Sequence, residues 1–216
     1  MSLSKEAAFW SKTARKYAAD PIRNMEGYLK TLERTKSYLK EGDSVLEIGC
    51  GTGSTALLIA PHVSKLTATD IAPGMIEIAN EKLAEQGQQN VTFEVGEVFD
   101  LEPKDQTFDA VLAHNLLHLV TNLDKTLRHV ASLTKPGGIF VSKTVCRPEA
   151  KRIKFFLITS VAIPIMQMLG KAPAVKFIDG SELGFRIKQA GFEILETSDQ
   201  TGLLLSRYIV ARRLKK

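Results

Sequence analysis

The chain has 216 residues, 44% hydrophobic and 25% charged, enough for one domain with a sizeable core and unlike a disordered or fibrous chain. Its net charge is +5, but four of its 29 basic residues stand in the tail Arg212-Arg213-Leu214-Lys215-Lys216; the rest is nearly balanced, which argues against a nucleic-acid-binding surface. Two cysteines, Cys50 and Cys146, are too few for a disulfide framework or a zinc cluster.

In chain order, the pattern opens with a helix over residues 5–19 carrying Phe9, Trp10, Ala14 and Tyr17. No charged-then-apolar signal pattern stands there, so the expected compartment is cytoplasmic. Asp20-Pro21 has the form of a helix start, with Asp as cap and Pro in the first turn. The second helix is expected to run to about Leu39, with Met25, Tyr28, Leu29, Leu32 and Tyr38 on its apolar positions. Gly42-Asp43 breaks it before a strand at 44–48. A helix at 54–60 and a strand at 65–70 follow. Pro73 starts a helix whose Met75, Ile78, Ala79 and Leu83 recur at helical spacing, and Gly87 stops it. Strands at 91–95 and 108–113 come next, then a helix with Leu123, Leu127, Val130 and Ala131 inward. Pro136-Gly137-Gly138 turns that helix into a strand at 139–144. After an interruption at 147–180 there is a helix at 181–190, stopped by Gly191, and strands at 192–197 and 203–212.

Apolar strands without strict alternation, separated by helices, imply a parallel sheet covered on both faces. The last two strands are joined by too few residues for a parallel crossover and should pair antiparallel. The expected fold is α/β, a Rossmann-like doubly wound seven-stranded sheet, mostly parallel with an antiparallel last strand. One domain is expected, divided into an N-terminal helical cap (1–42), a cofactor-binding core (43–146), a lid or substrate insertion (147–180) and a C-terminal helix and hairpin (181–216).

The core is organised around Val45-Leu46-Glu47-Ile48-Gly49-Cys50-Gly51-Thr52-Gly53. An apolar strand runs into a loop of alternating glycines, where a ligand can lie against bare backbone. Asp70 ends the next apolar run, and strand, glycine loop, helix, strand, acid is the order of a nucleoside-binding fold. Gly51-Thr52-Gly53-Ser54-Thr55-Ala56 also satisfies the dinucleotide pattern G-x-G-x-x-G/A. On this loop alone an NAD-dependent oxidoreductase stays open. A dinucleotide fold needs a second mononucleotide half, however, and this chain closes with a hairpin.

Glu47-Ile48-Gly49-Cys50-Gly51-Thr52-Gly53 resembles the first motif of class I S-adenosylmethionine-dependent methyltransferases. Asp70-Ile71-Ala72-Pro73-Gly74-Met75 is similar to that family's second motif, and Phe108-Asp109-Ala110-Val111-Leu112-Ala113 to its fourth-strand motif; Pro136-Gly137-Gly138 also stands in the family's place. The resemblance implies an enzyme that uses S-adenosylmethionine and releases S-adenosylhomocysteine. It implies that Gly49, Cys50, Gly51 and Gly53 admit the methionine part and the sugar. Asp70 would accept from both ribose hydroxyls, as an acceptor-only carboxylate can, with Ile71 beside it. Glu47 would favour the cationic end of the cofactor. The adenine would lie beside Glu97 and Val98 with Met75 on its face, and Asn115 and Leu116 would stand where cofactor and acceptor meet. A non-catalytic protein that binds the same cofactor is the third reading.

Methyl transfer needs a protein base only if the acceptor must lose a proton. His118 and His114 are the candidates, and packing or solvent-facing roles stay open for both. His114-Asn115-Leu116-Leu117 differs from the Asn/Asp-Pro-Pro-aromatic pattern of enzymes that methylate base amines, which points away from nucleic acid and towards a small-molecule acceptor. Phe9-Trp10-Ser11-Lys12-Thr13-Ala14-Arg15-Lys16-Tyr17 resembles the Phe-x-x-x-Ala-x-x-Tyr element of ubiquinone- and menaquinone-type methyltransferases, which implies that Tyr17 closes over the cofactor. Residues 155–169 are strongly apolar, flanked by Lys151, Arg152, Lys154 and Lys171, interrupted by Pro164, and too short to span a bilayer. They read as an apolar lid, a dimer contact or core helix, or a peripheral membrane contact through 151–171. The lid reading implies an apolar or amphipathic acceptor.

Overall fold

The structure, a computed structural model, describes residues 3–22, 24–103, 107–147, 158–168, 172–200 and 205–215. Seven strands form one sheet: β1 (Ser44–Ile48), β2 (Lys65–Asp70), β3 (Val91–Val95), β4 (Phe108–His114), β5 (Thr134–Cys146), β6 (Phe192–Gln200) and β7 (Leu205–Arg213). Their spatial order is β3-β2-β1-β4-β5-β7-β6. Neighbours from β3 through β5 are parallel, and β7 runs antiparallel to both β5 and β6. This is the fold expected from the sequence.

The helices are α1 (Leu3–Ala19), α2 (Met25–Lys36), α3 (Ser54–Ile59), α4 (Pro73–Gln86), α5 (Leu123–Leu133), α6 (Ile163–Met168) and α7 (Gly180–Gln189). Successive residues of a strand point to opposite faces. Val45 therefore packs with Ala56, Ile59, Ile76 and Ala79 of α3 and α4 on one face. Leu46 and Ile48 pack with Leu127, Val130, Leu183 and Ile187 of α5 and α7 on the other. Strand order reverses between β1 and β4, and the crevice outside the carboxyl ends of such strands is where α/β sheets bind ligands.

Three elements depart from the sequence expectation. Asp20-Pro21 does not start α2; Asn24 caps it, its side chain accepting from the Gly27 N–H at 2.9 Å. The helix is also rotated: Met25 and Leu29 are exposed while Thr31, Leu32 and Thr35 are buried. The threonines can face the sheet because their hydroxyls donate back to Gly27 O at 2.7 Å and Thr31 O at 2.9 Å. Strand β5 begins at Thr134 and runs through Pro136-Gly137-Gly138 instead of starting after them, with a register shift against β4 between Phe108 and Ala110. A Cβ on Gly138 would lie 2.8 Å from Asp109 O, so only glycine permits that crossing. In the apolar insertion a π-helical turn, Ile158–Ala162, leads into α6. Pro164 falls in the first turn of α6. No residue of α6 is buried. Residues 155–157 and 169 lie outside the described residues. Among the described residues no helix is long and apolar enough to cross a membrane.

Candidate active site

The glycine loop sits at the carboxyl end of β1 and is tied to its neighbour strand by one side chain. Asp70 Oδ2 accepts from the Gly51 N–H at 2.9 Å and Oδ1 from the Ala72 N–H at 2.9 Å. Burial raises the Asp70 pKa, and the two N–H bonds partly offset this. Each oxygen keeps a lone pair for a further donor. Gly51 has φ +55° and nothing within 4 Å of where its Cβ would be, so its backbone is open to a ligand. Gly53 differs: at φ +73°, a Cβ there would lie 2.7 Å from Phe93 Cζ and 2.8 Å from Ala79 Cβ. Lys82 of α4 holds the far side of the loop, donating to Thr52 O at 3.1 Å, Thr52 Oγ1 at 3.0 Å and Ser54 Oγ at 2.8 Å.

Glu47 and His114 end neighbouring strands on one face. Glu47 is 2% exposed, and its Oε1 lies 3.4 Å from His114 Nδ1. Glu47 Oε2 and His114 Nε2 are buried with no hydrogen-bond partner among the described residues. Tyr28 of α2 stands nearby, its hydroxyl 3.3 Å from Thr55 Oγ1. Asn115 holds φ +56°, the one positive φ among the described non-glycine residues, and its N–H donates to Lys143 O at 2.7 Å. A left-handed residue directly after a strand turns the chain sharply along the rim of the crevice.

Helix α1 closes the outer side. Its Ser11 hydroxyl accepts from the Gly74 N–H at 3.2 Å, and Arg15 forms paired bonds of 2.5 Å with Glu81 on the same helix, α4. Trp10 packs against Ala72, Met75 and Ile78, with its ring centroid 6.2 Å from that of Tyr17 in an edge-to-face arrangement. The space between α1, α2 and the carboxyl ends of β1, β2 and β4 is a cavity of about 720 Å³, a size suited to a cofactor or a drug-sized ligand.

A sequence profile described as "Methyltransferase domain" matches residues 39–170, more than half of the chain. The chain belongs to the methyltransferase-domain family. A demethylmenaquinone methyltransferase from Symbiobacterium thermophilum is 31% identical over 124 residues, covering 56% of this chain and 49% of that protein. A ubiquinone biosynthesis O-methyltransferase from Coxiella burnetii is 29% identical over 159 residues, covering 72% of this chain and 66% of that protein. The match thus spans about half the length of the first relative and just under two thirds of the second. Among solved structures, the SAH complex of DhpI superposes with a TM-score of 0.75 at 22% identity, covering 99% of this chain and 98% of that one, which shows a shared fold.

In this methyltransferase domain most residues singled out from the sequence meet at one cavity. Tyr17, Glu47, Gly49, Cys50, Gly51, Asp70, Ile71, Met75, Glu97, Val98, His114, Asn115 and Leu116 all line it. Tyr17 does so from the rim, with 52% of its surface exposed. Gly53 and His118 do not line it. Gly53 closes the loop against Phe93 and Ala79, and His118 is buried behind the rim, its pKa lowered by burial to about 4. None of residues 158–168 lines the cavity either, and the rest of the apolar insertion, 155–157 and 169, lies outside the described residues. Sequence reasoning missed Glu6, Tyr28 and Phe99. A signal for Glu6 existed: Glu6, Trp10, Ala14 and Tyr17 share one helical stripe.

Proposed function

We propose that this chain transfers a methyl group from S-adenosylmethionine to a small acceptor, apolar or amphipathic in character. The observation that carries this reading is Asp70, bonded to the glycine loop through one oxygen and facing the cavity with lone pairs left for two ribose hydroxyls. The surrounding residues fit the same cofactor. Gly51 leaves backbone open for close approach, and the partnerless Glu47 Oε2 suits an ammonium. Met75 and Val98 give apolar faces for a purine, with Glu97 beside them. When bound, the sulfonium supplies a methyl group already activated for in-line displacement.

The chain's own work is then alignment, exclusion of water and, where needed, proton removal. Tyr17 and Trp10 cover the cavity from α1. The Glu47 carboxylate beside Nδ1 of His114 favours a proton on that nitrogen, which leaves Nε2 to take a proton from the acceptor. His114 is therefore assigned as the base ahead of His118. Leu116, Leu119 and Val120 on the cavity wall, with exposed Ile22, Met25 and Leu29 on the cap, support an apolar or amphipathic acceptor. The exposed Ile165, Met166 and Met168 of α6 support a further apolar contact through that helix.

Calorimetric titration with S-adenosylhomocysteine and with NAD tests the cofactor. Binding of NAD alone would overturn the reading in favour of an oxidoreductase. Labelled-methyl transfer into a metabolite extract then separates an enzyme from a protein that only binds the cofactor.

A further inference from the structure

Five carboxylates line the cavity, those of Glu6, Asp20, Glu47, Asp70 and Glu97, and among the described residues no lysine or arginine does. This is so in a chain whose net charge is +5. On the methyl-transfer reading, Glu47, Asp70 and Glu97 face the cofactor. Asp20 is solvent-exposed at the end of α1. Glu6 is left over, and it is the unusual one. It is only 6% exposed, and its Oε1 is buried without a hydrogen-bond partner among the described residues. Burying a carboxylate without a partner is costly. The N-terminal ammonium and, more weakly, Lys176 act on Glu6 electrostatically, but the Lys176 ammonium donates to Thr121 O at 2.6 Å, and among the described residues Glu6 makes no ion pair. Burial accordingly raises the Glu6 pKa.

Glu6 is set apart along α1 from Tyr17, the aromatic side chain at the cavity rim. Glu6 and Tyr17 lie on one stripe of α1, eleven residues apart, which is about 16 Å at 1.5 Å per residue. One turn along from Glu6 stands Trp10, also on the cavity wall. A carboxylate and an indole one helical turn apart form a good receptor for an organic cation, combining charge with the ring's negative face.

We infer that the acceptor carries a basic amine, held as an ammonium by Glu6 and Trp10, one helical turn apart on the α1 wall of the cavity. This rests on the methyl-transfer reading and adds a substrate class to it. The ammonium is an anchor and not the methylated atom, because a protonated amine has no lone pair to attack with. The acceptor is thus an amphiphile with a cationic handle, its apolar body against Leu119 and Val120.

The test uses phenethylamine, 2-phenylethanol and 3-phenylpropanoate, titrated calorimetrically into protein saturated with S-adenosylhomocysteine. The amine is expected to bind at least about ten-fold more tightly than the alcohol, with the carboxylate weakest. In Glu6→Gln the amine's advantage should shrink to within about two-fold, while affinity for S-adenosylhomocysteine is unchanged. The melting temperature should stay level or rise, since a buried unpaired charge is removed; a merely structural glutamate would show a fall. Glu6→Asp, which keeps the charge on a shorter arm, should retain the preference for amine over alcohol at weaker affinity. No amine binding, equal binding of amine and alcohol, or a preference that survives Glu6→Gln overturns the inference. Failure of the wild type to bind S-adenosylhomocysteine refutes the underlying methyl-transfer reading instead, before any amine is added.

Discussion

The Gly51 N–H donates to the Asp70 carboxylate at 2.9 Å, joining the glycine loop to the end of the neighbouring strand across nineteen residues of sequence. One side chain thus shapes the loop and presents acceptors to the cavity. Asp70→Asn places an amide N–H₂ against either the Gly51 or the Ala72 N–H and removes the acceptor-only group. Affinity for S-adenosylhomocysteine should fall about 10- to 100-fold, the loss of one or two charge-assisted hydrogen bonds. Calorimetry on the folded variant measures it, and unchanged affinity would remove Asp70 from the site.

Glu47 and His114 predict a different split between binding and turnover. His114→Ala should lower methyl transfer by about 10²- to 10⁴-fold, the usual range for a lost general base. Affinity for S-adenosylhomocysteine should stay within about two-fold, a change worth less than half a kcal/mol. Glu47→Gln keeps the shape but weakens the orientation of the imidazole, and should reduce both transfer and cofactor affinity. Initial rates on whichever extract fraction accepts label, alongside calorimetry, separate these outcomes. If His114→Ala turns over at the wild-type rate, the acceptor needs no base from this residue.

What was legible in the sequence was what local physics dictates. The strand at 44–48, the glycine loop and Asp70 follow from backbone freedom and spacing alone, and Gly87 ends α4 at φ +68° as a left-handed cap. The rotation of α2 was not legible. Binary patterning puts Met25 and Leu29 inward, but Thr31 and Thr35 can be buried because each hydroxyl finds a carbonyl one turn back in its own helix. The passage of β5 through Pro136-Gly137-Gly138 was hidden for a similar reason. It depends on the close approach of Gly138 to Asp109 O, a tertiary contact. Glu6 escaped notice because a glutamate on a helix reads as a solvated face, and its burial appears only once the chain is folded.

Lys82 bears on the loop from the opposite side to Asp70. Its single ammonium makes three contacts of 2.8–3.1 Å to Thr52 and Ser54, and burial lowers its pKa. Lys82→Met keeps the length of the side chain and removes all three bonds. Because the group is partly buried, stability should fall by only about 1–2 kcal/mol. Affinity for S-adenosylhomocysteine should fall by about three- to ten-fold as the loop loosens, with the rate at saturating cofactor nearly unchanged. Urea melts and calorimetry check the two parts. A loss of turnover at saturating cofactor would instead place Lys82 in the chemistry.

His118 gives the pH dependence. It is 9% exposed, its Nδ1 has no partner among the described residues, and burial brings its pKa from 6.5 to about 4. In the unfolded chain the imidazole protonates near 6.5, while the folded one stays neutral until about pH 4. Between those values the unfolded state holds more protons, so stability falls as pH falls. The contribution is complete above about pH 6.5 and declines by about 1.4 kcal/mol for each pH unit, reaching a loss of about 3 kcal/mol near pH 4. His118→Leu, similar in volume and without a titrating group, should flatten that part of the stability curve. Urea unfolding of both proteins from pH 7.5 to 4.5 gives the difference directly. Parallel curves would mean that His118 reaches water or a partner on protonation. A slope of the expected sign identifies it as a buried neutral packing residue, and leaves His114 as the histidine available to an acceptor.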